Sequence, residues 1–186
     1  MTHPDHKPGR LIAVVGPSGV GKDSVMAGLI AARPGLTAIR RAITRAPQAG
    51  GEDCDPLTPD TYAARKAAGD FVLTWGAHGL FYAIPRAALA PLAQGQDLLA
   101  NLSRTVLTEA AQAVPRLTVL HITASPETLA ARLAARGRET ESDIAARLSR
   151  ETDPLPPGLD IVVVSNDGPL QQTVATALAA LYPESA

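Results

Sequence analysis

The sequence has a single cysteine, few lysines and no long apolar segment, and each shortage excludes something. Cys54 on its own excludes an internal disulfide framework and any metal site built from several cysteines. No apolar run approaches the roughly 20 residues that span a bilayer. The polar first ten residues also lack the apolar core of a signal peptide. We therefore expect no membrane partner, a cytoplasmic location, and a flexible tail over residues 1–9.

The net charge is also small, at −1, with 17 basic and 18 acidic residues. A value so close to zero predicts no surface for nucleic acid or for an anionic membrane. Of the basic residues, 14 are Arg and 3 are Lys. The planar fork of donors on Arg suits phosphate oxygens, although coding bias produces the same excess.

Short β-rich runs alternate with Ala/Leu-rich stretches along the 186 residues, which predicts one domain with a parallel sheet covered by helices. The predicted strands are 11–15, 98–102, 117–122 and 161–164. The predicted helices are 23–32, 104–114, 126–136, 142–151 and 169–181. Residues 36–85 break this rhythm with a turn-rich stretch, a short helix and two brief strands. We interpret them as an acceptor-binding insert between core segments 10–35 and 86–186.

A glycine-rich loop lies between the first predicted strand and the first predicted helix. Residues 16–22 are GPSGVGK, the G-x-x-x-x-G-K frame of a nucleotide-binding loop. Glycines let backbone N–H groups turn toward phosphates, the helix N-terminus adds its dipole, and Lys22 supplies a mobile charge. The pattern predicts ATP as phosphoryl donor. The predicted nucleotide-binding residues are Gly16, Pro17, Ser18, Gly19, Val20, Gly21, Lys22, Asp23 and Ser24.

The residue after the loop lysine departs from the usual pattern. Ser or Thr normally places a hydroxyl on Mg²⁺ at this point, whereas this chain has Asp23 followed by Ser24. A carboxylate is an ordinary oxygen ligand for Mg²⁺. Asp23 is therefore predicted as the metal ligand, and a first-turn acid that only complements the helix dipole is the alternative.

The stretch 132–150 is rich in arginine and is interrupted by Gly137. Two helices joined by a short polar loop would form a lid over the transferring phosphoryl group. Cations there stabilise developing charge, and closure excludes water. The alternative is a solvated helical hairpin whose arginines pair with Glu139, Glu141 and Asp143.

Four separated motifs carry a family resemblance: GPSGVGK, ITRAPQAGGE, FVLTW…GLFYAI and RLAARGRETESDIAARL. They occur in the order and spacing of the guanylate kinase family, which the chain resembles from about residue 10 to residue 147. The resemblance implies an α/β P-loop NTPase fold of the nucleoside monophosphate kinase type. That fold has a parallel five-stranded core sheet flanked by helices, a small acceptor-binding insert and a helical lid.

The same resemblance implies roles for individual residues. Arg136 and Arg147 match the lid arginines of the family, so they join Lys22 as expected catalytic residues. The pair Thr44-Arg45 matches a step that grips phosphate. Tyr82 matches a tyrosine that contacts phosphate.

The departures from the guanylate kinase pattern concern the acceptor. Where guanylate kinases carry a second arginine, this chain has Gln48, and the tyrosine of the family is missing near Cys54. Thr74 stands in place of the glutamate that reads guanine. The acidic phrase after the third core strand is replaced by Asn101-Leu-Ser-Arg104. A buried guanine edge without partners would lose about 1–3 kcal/mol per group, so GMP is not the expected acceptor.

The motifs GKDS, R-x-I-T-R, L-T-W…G-L-F-Y and N-x-S-R resemble the ribose 1,5-bisphosphate phosphokinases. These guanylate-kinase relatives of phosphonate utilisation make 5-phosphoribosyl 1-diphosphate, and the resemblance covers almost the whole chain. It implies a small phosphorylated sugar, with two phosphates and no base, as substrate. The substrate-binding residues expected are Arg41, Thr44, Arg45, Tyr82, Arg86, Asn101 and Arg104.

Several alternatives stay open on the sequence. Each of those arginines has a plain interpretation as a surface residue. A nucleoside monophosphate kinase with altered base recognition is the nearest rival function. A non-catalytic guanylate-kinase-like binding module is a third, which the intact loop and lid arginines oppose. The chain is a monomer or a homodimer, and apolar helix faces do not distinguish the two.

Overall fold

The core of the molecule is a five-stranded parallel sheet. The computed structural model describes residues 7–46, 53–135 and 154–183. In these ranges the core strands are β1 (Leu11–Val15), β2 (Thr37–Ala38), β7 (Leu98–Asn101), β8 (Leu117–Thr123) and β9 (Asp160–Ser165). Their order is β2-β7-β1-β8-β9, and every pairing is parallel. The parallel five-stranded core sheet expected from the sequence is therefore confirmed.

Helices cover both faces of this sheet, so β1 is buried along its whole length and is apolar throughout. Alternate residues of β1 join opposite clusters. Ile12 and Val14 pack against α1 (Lys22–Ala32) and the last described helix, α5 (Leu170–Leu181). Leu11, Ala13 and Val15 pack on the other side against α3 (Leu107–Ala113). Ser125 directly precedes the helix α4 (Pro126–Ala135), and its Oγ accepts from the amide of Thr128 at 3.2 Å, as a capping serine does.

A second, smaller sheet lies in the inserted segment. Its strands are β4 (Cys54–Pro56), β3 (Arg41–Ile43), β6 (Leu80–Pro85) and β5 (Phe71–Ala77), in that order across the sheet. The helix α2 (Pro59–Ala67) packs one face through Tyr62, which lies among Ala42, Phe71 and Ala83. The sequence predicted β5 and β6 but not β3 and β4. Strands of three residues are too short to show a period.

Several element boundaries differ from the sequence prediction. The strand β2 belongs to the core sheet, although the insert was expected to begin at residue 36. An unpredicted 3₁₀ helix, Arg86–Gln94, leads from β6 back to the core. Within the expected tail, the amide of Gly9 donates to Leu92 O at 2.8 Å, and Arg116 donates to the carbonyl of Pro8.

Some predictions fall outside the described residues. These are the lid beyond residue 135, the helix predicted over 142–151, and three named side chains: Gln48, Arg136 and Arg147. Among the helices that the structure does describe, none has the length and apolar character needed to cross a membrane.

Candidate active site

The glycine-rich loop follows β1, the middle strand, which has β7 on one side and β8 on the other. The loop therefore lies at the carboxyl ends of the strands, where parallel sheets of this kind bind ligands. Two loop positions require glycine. A Cβ on Gly16 would lie 2.3 Å from the carbonyl oxygen of Ile122, a backbone atom that cannot move aside. Gly21 has φ +92°, and a Cβ there would lie 2.8 Å from the side-chain nitrogen of Asn166.

The loop is held from outside through one carbonyl, that of Val20. Asn166 Nδ2 donates to it at 2.7 Å, and Arg132 Nη1 donates at 3.3 Å. The two donors are themselves joined, since Arg132 Nη2 donates to the Asn166 carbonyl at 2.8 Å. Asn166 belongs to none of the predicted motifs. The available signal was its place directly after β9, at the same edge of the sheet as the loop.

Lys22 and Asp23 open α1 beside this loop. The ammonium of Lys22 donates to the carbonyls of Gly16 and Pro17 at 2.7 and 3.1 Å, so it lies over the loop. Asp23 is exposed, and its Oδ1 accepts from Asn101 Nδ2 at 3.2 Å. An exposed carboxylate next to the loop lysine is a hard oxygen donor at the place where phosphates would sit, and this donor set fits Mg²⁺.

A pocket of about 340 Å³ lies between the loop and the second sheet. Its lining includes three cationic side chains, Lys22, Arg41 and Arg104, together with His78. Among the described residues that line it there is no Asp or Glu. The pocket is therefore a cationic site, and it suits an acceptor that carries several negative charges.

Arg41 is held in a fixed orientation on the wall of this pocket. It is only 7% exposed, and its Nη1 donates to the Asn101 carbonyl at 2.8 Å. Its guanidinium also lies over the rings of Tyr82 and Trp75, at 5.1 and 5.9 Å from their centroids. Those rings stack on one another with an interplanar angle of 9°. A guanidinium held in this way binds phosphate with little loss of rotamer freedom.

Arg104 begins the 3₁₀ turn Arg104–Val106 that follows β7. Its Nη2 lies 3.1 Å from Nε2 of His121, a half-buried residue of β8. Burial first, and then the charge of Arg104, hold the pKa of His121 below its usual value of 6.5. A neutral imidazole is therefore one partner of this arginine.

Comparison with known proteins agrees with these features. Ribose 1,5-bisphosphate phosphokinase PhnN of Ruegeria sp. is 48% identical over 180 residues, covering 96% of this chain and 94% of that protein. The enzyme of the same name from Rhizobium etli is 40% identical over 189 residues, covering 97% and 96%. The chain belongs to the ribose 1,5-bisphosphate phosphokinase family. It is accordingly an enzyme of a kinase family, and kinases use a nucleoside triphosphate and, in general, a divalent metal ion.

Other comparisons place the family more widely. A bifunctional ribose 1,5-bisphosphokinase-thymidine phosphorylase of Cupriavidus necator is 40% identical over 93% of this chain, which spans only 29% of that longer protein. A guanylate kinase structure from Anaplasma phagocytophilum superimposes with a TM-score of 0.68 at 17% identity, covering 96% of this chain and 87% of that one. This likeness supports the guanylate-kinase-like fold expected from the sequence. No protein-family model matches the sequence.

The structure of this chain brings some of the predicted substrate residues together and leaves others apart. Arg41, Tyr82, Asn101 and Arg104 line the pocket. Thr44, Arg45 and Arg86 do not belong to its lining, and their substrate contacts stay predictions.

Local contacts explain where two of the residues outside the lining lie. Thr44 Oγ1 accepts from the Phe81 amide at 2.8 Å, so it fastens the end of β3 to β6. Arg86 lies four residues beyond Tyr82, about 13 Å further along the chain at 3.3 Å per residue. There its Nε donates to the carbonyl of Gly69 at 3.3 Å.

The position that the guanylate kinase resemblance gives to guanine recognition also lies outside the pocket lining. Thr74 pairs with Ala83 across the hairpin, whereas its neighbour Trp75 lines the pocket. Side chains alternate between faces along a strand, and Thr74 contacts Tyr62 on the opposite face. Burial raises the pKa of Tyr62, and the hydrogen bond with Thr74 acts against that rise.

His78 also lines the pocket. It lies in the two-residue turn between β5 and β6, with φ 53°, followed by Gly79 with φ 73°. Both values fit the primed turn that closes tight hairpins, where Asn and Gly are the usual residues. A histidine held in a left-handed conformation beside a cationic pocket is a candidate contact for the acceptor.

Proposed function

We propose that this chain transfers the γ-phosphoryl group of ATP to the 1-phosphate of ribose 1,5-bisphosphate. The products are 5-phosphoribosyl 1-diphosphate and ADP, and Mg²⁺ is the metal ion. Support comes from the family membership and from one structural observation, which is the cationic pocket beside the nucleotide loop. Its cations suit an acceptor with two phosphates, and the described residues of its lining include no carboxylate to pair with a guanine edge.

The reaction needs alignment and charge neutralisation more than it needs a base. An oxygen of the 1-phosphate attacks the γ-phosphorus, the bond from that phosphorus to the β,γ-bridging oxygen breaks, and ADP leaves with the bonding electrons. A phosphate monoester has its second pKa near 6, so the attacking oxygen is already anionic at neutral pH. The catalytic requirement is therefore to hold two highly charged phosphates together in line.

The donor side is served by the loop and the two residues that follow it. Backbone N–H groups of the glycine-rich loop and the start of α1 bind the ATP phosphates. Lys22 leaves its carbonyl partners to contact the β- and γ-phosphates. Asp23 would hold Mg²⁺, which would neutralise part of the charge on the nucleotide phosphates. Arg136 and Arg147, the expected lid cations, stabilise charge on the transferred group in this proposal.

The acceptor side is served by the pocket. Arg41 and Arg104 are separate cations on its wall, and two phosphates on one sugar provide separate anionic groups for them. Tyr82 and Asn101 complete the polar contacts. The stacked rings of Trp75 and Tyr82 give an apolar wall against which a ribose ring can pack.

The test is a coupled assay of ADP release with Mg-ATP, offering ribose 1,5-bisphosphate, ribose 5-phosphate and GMP in parallel. Phosphorus NMR of the product distinguishes a new diphosphate from free phosphate. We expect turnover with the bisphosphate, a diphosphate product and little activity with the other two. A Lys22→Ala variant reports the background from contaminating kinases.

Other results would overturn the proposal. A preference for GMP would make the chain a nucleoside monophosphate kinase that reads its base by other means. ADP release without any diphosphate product would make it an ATPase. Absence of turnover with every acceptor would favour the non-catalytic binding module.

A further inference from the structure

Two side chains that lie outside the usual pattern of P-loop enzymes meet beside the nucleotide loop. Such enzymes commonly hold Mg²⁺ with a hydroxyl residue directly after the loop lysine and with an Asp from a neighbouring strand. In this chain the residue after Lys22 is Asp23, and the last residue of β7, the strand next to β1, is Asn101. The acid and the neutral polar residue therefore stand in each other's places, and Asn101 Nδ2 donates to Asp23 Oδ1 at 3.2 Å.

We propose that the magnesium carboxylate has moved from the strand end to the loop, so that Asp23 holds the ion and Asn101 positions Asp23. This inference rests on the proposed use of Mg-ATP. It gives Asn101 a role at the metal in addition to, or in place of, the acceptor contact expected from the sequence.

The chemistry of the contact fixes the orientation of the amide. An ionised carboxylate only accepts hydrogen bonds, so the group that faces Asp23 must be the NH₂ of Asn101 and not its oxygen. One carboxylate oxygen of Asp23 is thereby held, and the other is left for the ion or for a water on the ion. Mg²⁺ bound to a nucleotide commonly takes one or two protein carboxylates together with phosphates and waters.

Asn101 is itself held through its own backbone. Asn101 pairs with Val14 of β1, and the carbonyl oxygen of Asn101 accepts from Arg41 Nη1 at 2.8 Å. The amide that orients Asp23 therefore belongs to a rigid strand end. Outer partners of this kind tune metal affinity by about 10- to 100-fold in metal sites generally.

The exchange also keeps the charge around the ion constant. One carboxylate is present in the usual arrangement and one is present here. An acid at both positions would put two negative charges within about 3–4 Å, at a place where nucleotide phosphates also bind. A neutral residue at both would leave the ion without a protein carboxylate.

The simpler interpretation is that Asp23 is only a first-turn acid of α1. That interpretation predicts a helix-stability effect and no effect on metal binding. The matched control is Asp60, an exposed first-turn acid of α2, which lies outside the pocket lining.

The experiment measures metal binding without any acceptor. ADP binding is followed by calorimetry with and without Mg²⁺, and Mn²⁺ bound with ADP is counted by electron paramagnetic resonance. The variants are Asp23→Asn, Ser24→Ala, Asn101→Asp, the exchanged double variant D23N/N101D, and Asp60→Asn, each checked for folding by circular dichroism and melting temperature.

We expect Mg²⁺ to tighten ADP binding in the wild type and in Asp60→Asn to the same degree. In Asp23→Asn this tightening should fall at least tenfold, while metal-free ADP binding holds or improves because a negative charge is removed. The double variant should recover at least tenfold of the tightening that Asp23→Asn loses. Asn101→Asp should keep the tightening and weaken metal-free ADP binding.

Three results would overturn the inference. Full tightening in Asp23→Asn would remove Asp23 from the metal. Loss in Ser24→Ala, with retention in Asp23→Asn, would give the metal to the next residue. A folded double variant no better than Asp23→Asn would show that the two positions are not interchangeable. Since no sugar is present, failure of the bisphosphate reaction would leave these results unaffected, and the two proposals fail separately.

Discussion

His121 Nε2 lies 3.1 Å from Arg104 Nη2, and this contact helps to orient an arginine that lines the pocket. A guanidinium only donates, so the imidazole accepts through Nε2 and carries its proton on Nδ1. The flanking strands place apolar residues beside His121, with Val15 of β1 and Val163 of β9 as its pairing partners. Burial and then the Arg104 charge lower the pKa of His121, so the neutral form needed for this contact is favoured.

The first prediction concerns acid pH. Protonation of His121 removes the acceptor and sets two cations side by side, so Arg104 loses its orientation. Because the pKa of His121 in the folded state lies below 6.5, the neutral imidazole predominates above pH 6.5. It is lost as the pH falls through the lower folded value. We expect kcat/KM for ribose 1,5-bisphosphate to fall over that range, chiefly through a higher KM.

The variant that isolates this effect is His121→Gln. The amide oxygen of the glutamine accepts from Arg104 and does not titrate. The decrease in kcat/KM of this variant at acid pH should therefore reflect the substrate alone. The second pKa of the sugar phosphates, near 6, acts equally on both proteins and cancels in the ratio of their kcat/KM values. Parallel profiles for wild type and variant would rule out a positioning role for His121.

The second prediction separates two neighbouring arginines. Arg41→Lys keeps the charge in the pocket but loses the planar fork and its bond to Asn101. A hydrogen bond to a charged group contributes about 1.5–3 kcal/mol, so the KM for the acceptor should rise about 10-fold or more while the KM for ATP changes little. The measurement is the coupled ADP assay at varied acceptor concentration.

Arg40→Lys is the matched control for that variant. The Arg40 side chain is 54% exposed and pairs with Asp53 and Asp55 on the surface. Exposed pairs contribute about 0–1 kcal/mol, and we expect kinetic constants close to those of the wild type. Equal losses in the two variants would mean that Arg41 acts through folding and not through the acceptor.

Much of the fold was predictable because its signals are local. The apolar run Leu11–Val15 followed by GPSGVGK marks a buried strand that ends in a phosphate loop. The alternation of strands and helices then predicts a parallel sheet. The short strands β3 and β4 carry no such signal, since each takes its conformation from partners on other strands.

The site was only partly predictable, because some of its contacts join residues that lie far apart in the chain. Arg41 and Arg104 were named through their motifs, and both line the pocket. Asn166 and His121 act through contacts with residues 146 and 17 positions away in the chain. No periodic pattern or spacing in the sequence brings such pairs together. Thr44 belongs to a recognised motif, yet its hydroxyl accepts a hydrogen bond from a β6 amide in this structure.

The third prediction tests whether the loop must be held from outside. Asn166 is 5% exposed and donates to the Val20 carbonyl, and its own oxygen accepts from Thr173 Oγ1 at 2.9 Å. Asn166→Ala leaves buried polar groups short of partners, at a cost of about 1–3 kcal/mol in the free energy of unfolding. Because the loop also loses an anchor, we expect ADP binding to weaken by about tenfold, measured by calorimetry beside urea denaturation.

Thr173→Val provides the comparison. It removes the second bond of Asn166 but leaves the bond to Val20, so it should lower stability and keep the ADP affinity of the wild type. An Asn166→Ala variant that loses stability but binds ADP normally would make Asn166 a structural residue without influence on the loop.

The fourth prediction concerns the amino ends of the core strands, where Asp97 contacts both Arg10 and Tyr182. Its carboxylate accepts from the Arg10 amide at 2.6 Å, from Arg10 Nη2 at 3.2 Å and from the Tyr182 hydroxyl at 2.8 Å. Burial raises the pKa of Asp97, but these hydrogen bonds and the Arg10 charge outweigh burial, so the pKa lies below its usual 3.8. Asp97→Asn should lower the free energy of unfolding by about 1–3 kcal/mol at pH 7.

The stability lost in Asp97→Asn should depend on pH. A carboxyl whose pKa is lowered by folding contributes its full stabilisation above the unfolded value of 3.8 and loses it as the pH falls through the folded value. The gap in unfolding free energy between wild type and Asp97→Asn should therefore close in acid. Tyr182→Phe, which removes one hydrogen bond to the charged carboxylate, should lower the free energy of unfolding by about 1.5–3 kcal/mol at pH 7. Kinetic constants should not change in either variant, because the cluster lies at the amino ends of the strands and the pocket at their carboxyl ends. A gap that stayed constant down to pH 3 would mean that Asp97 stabilises the fold through packing and not through its charge.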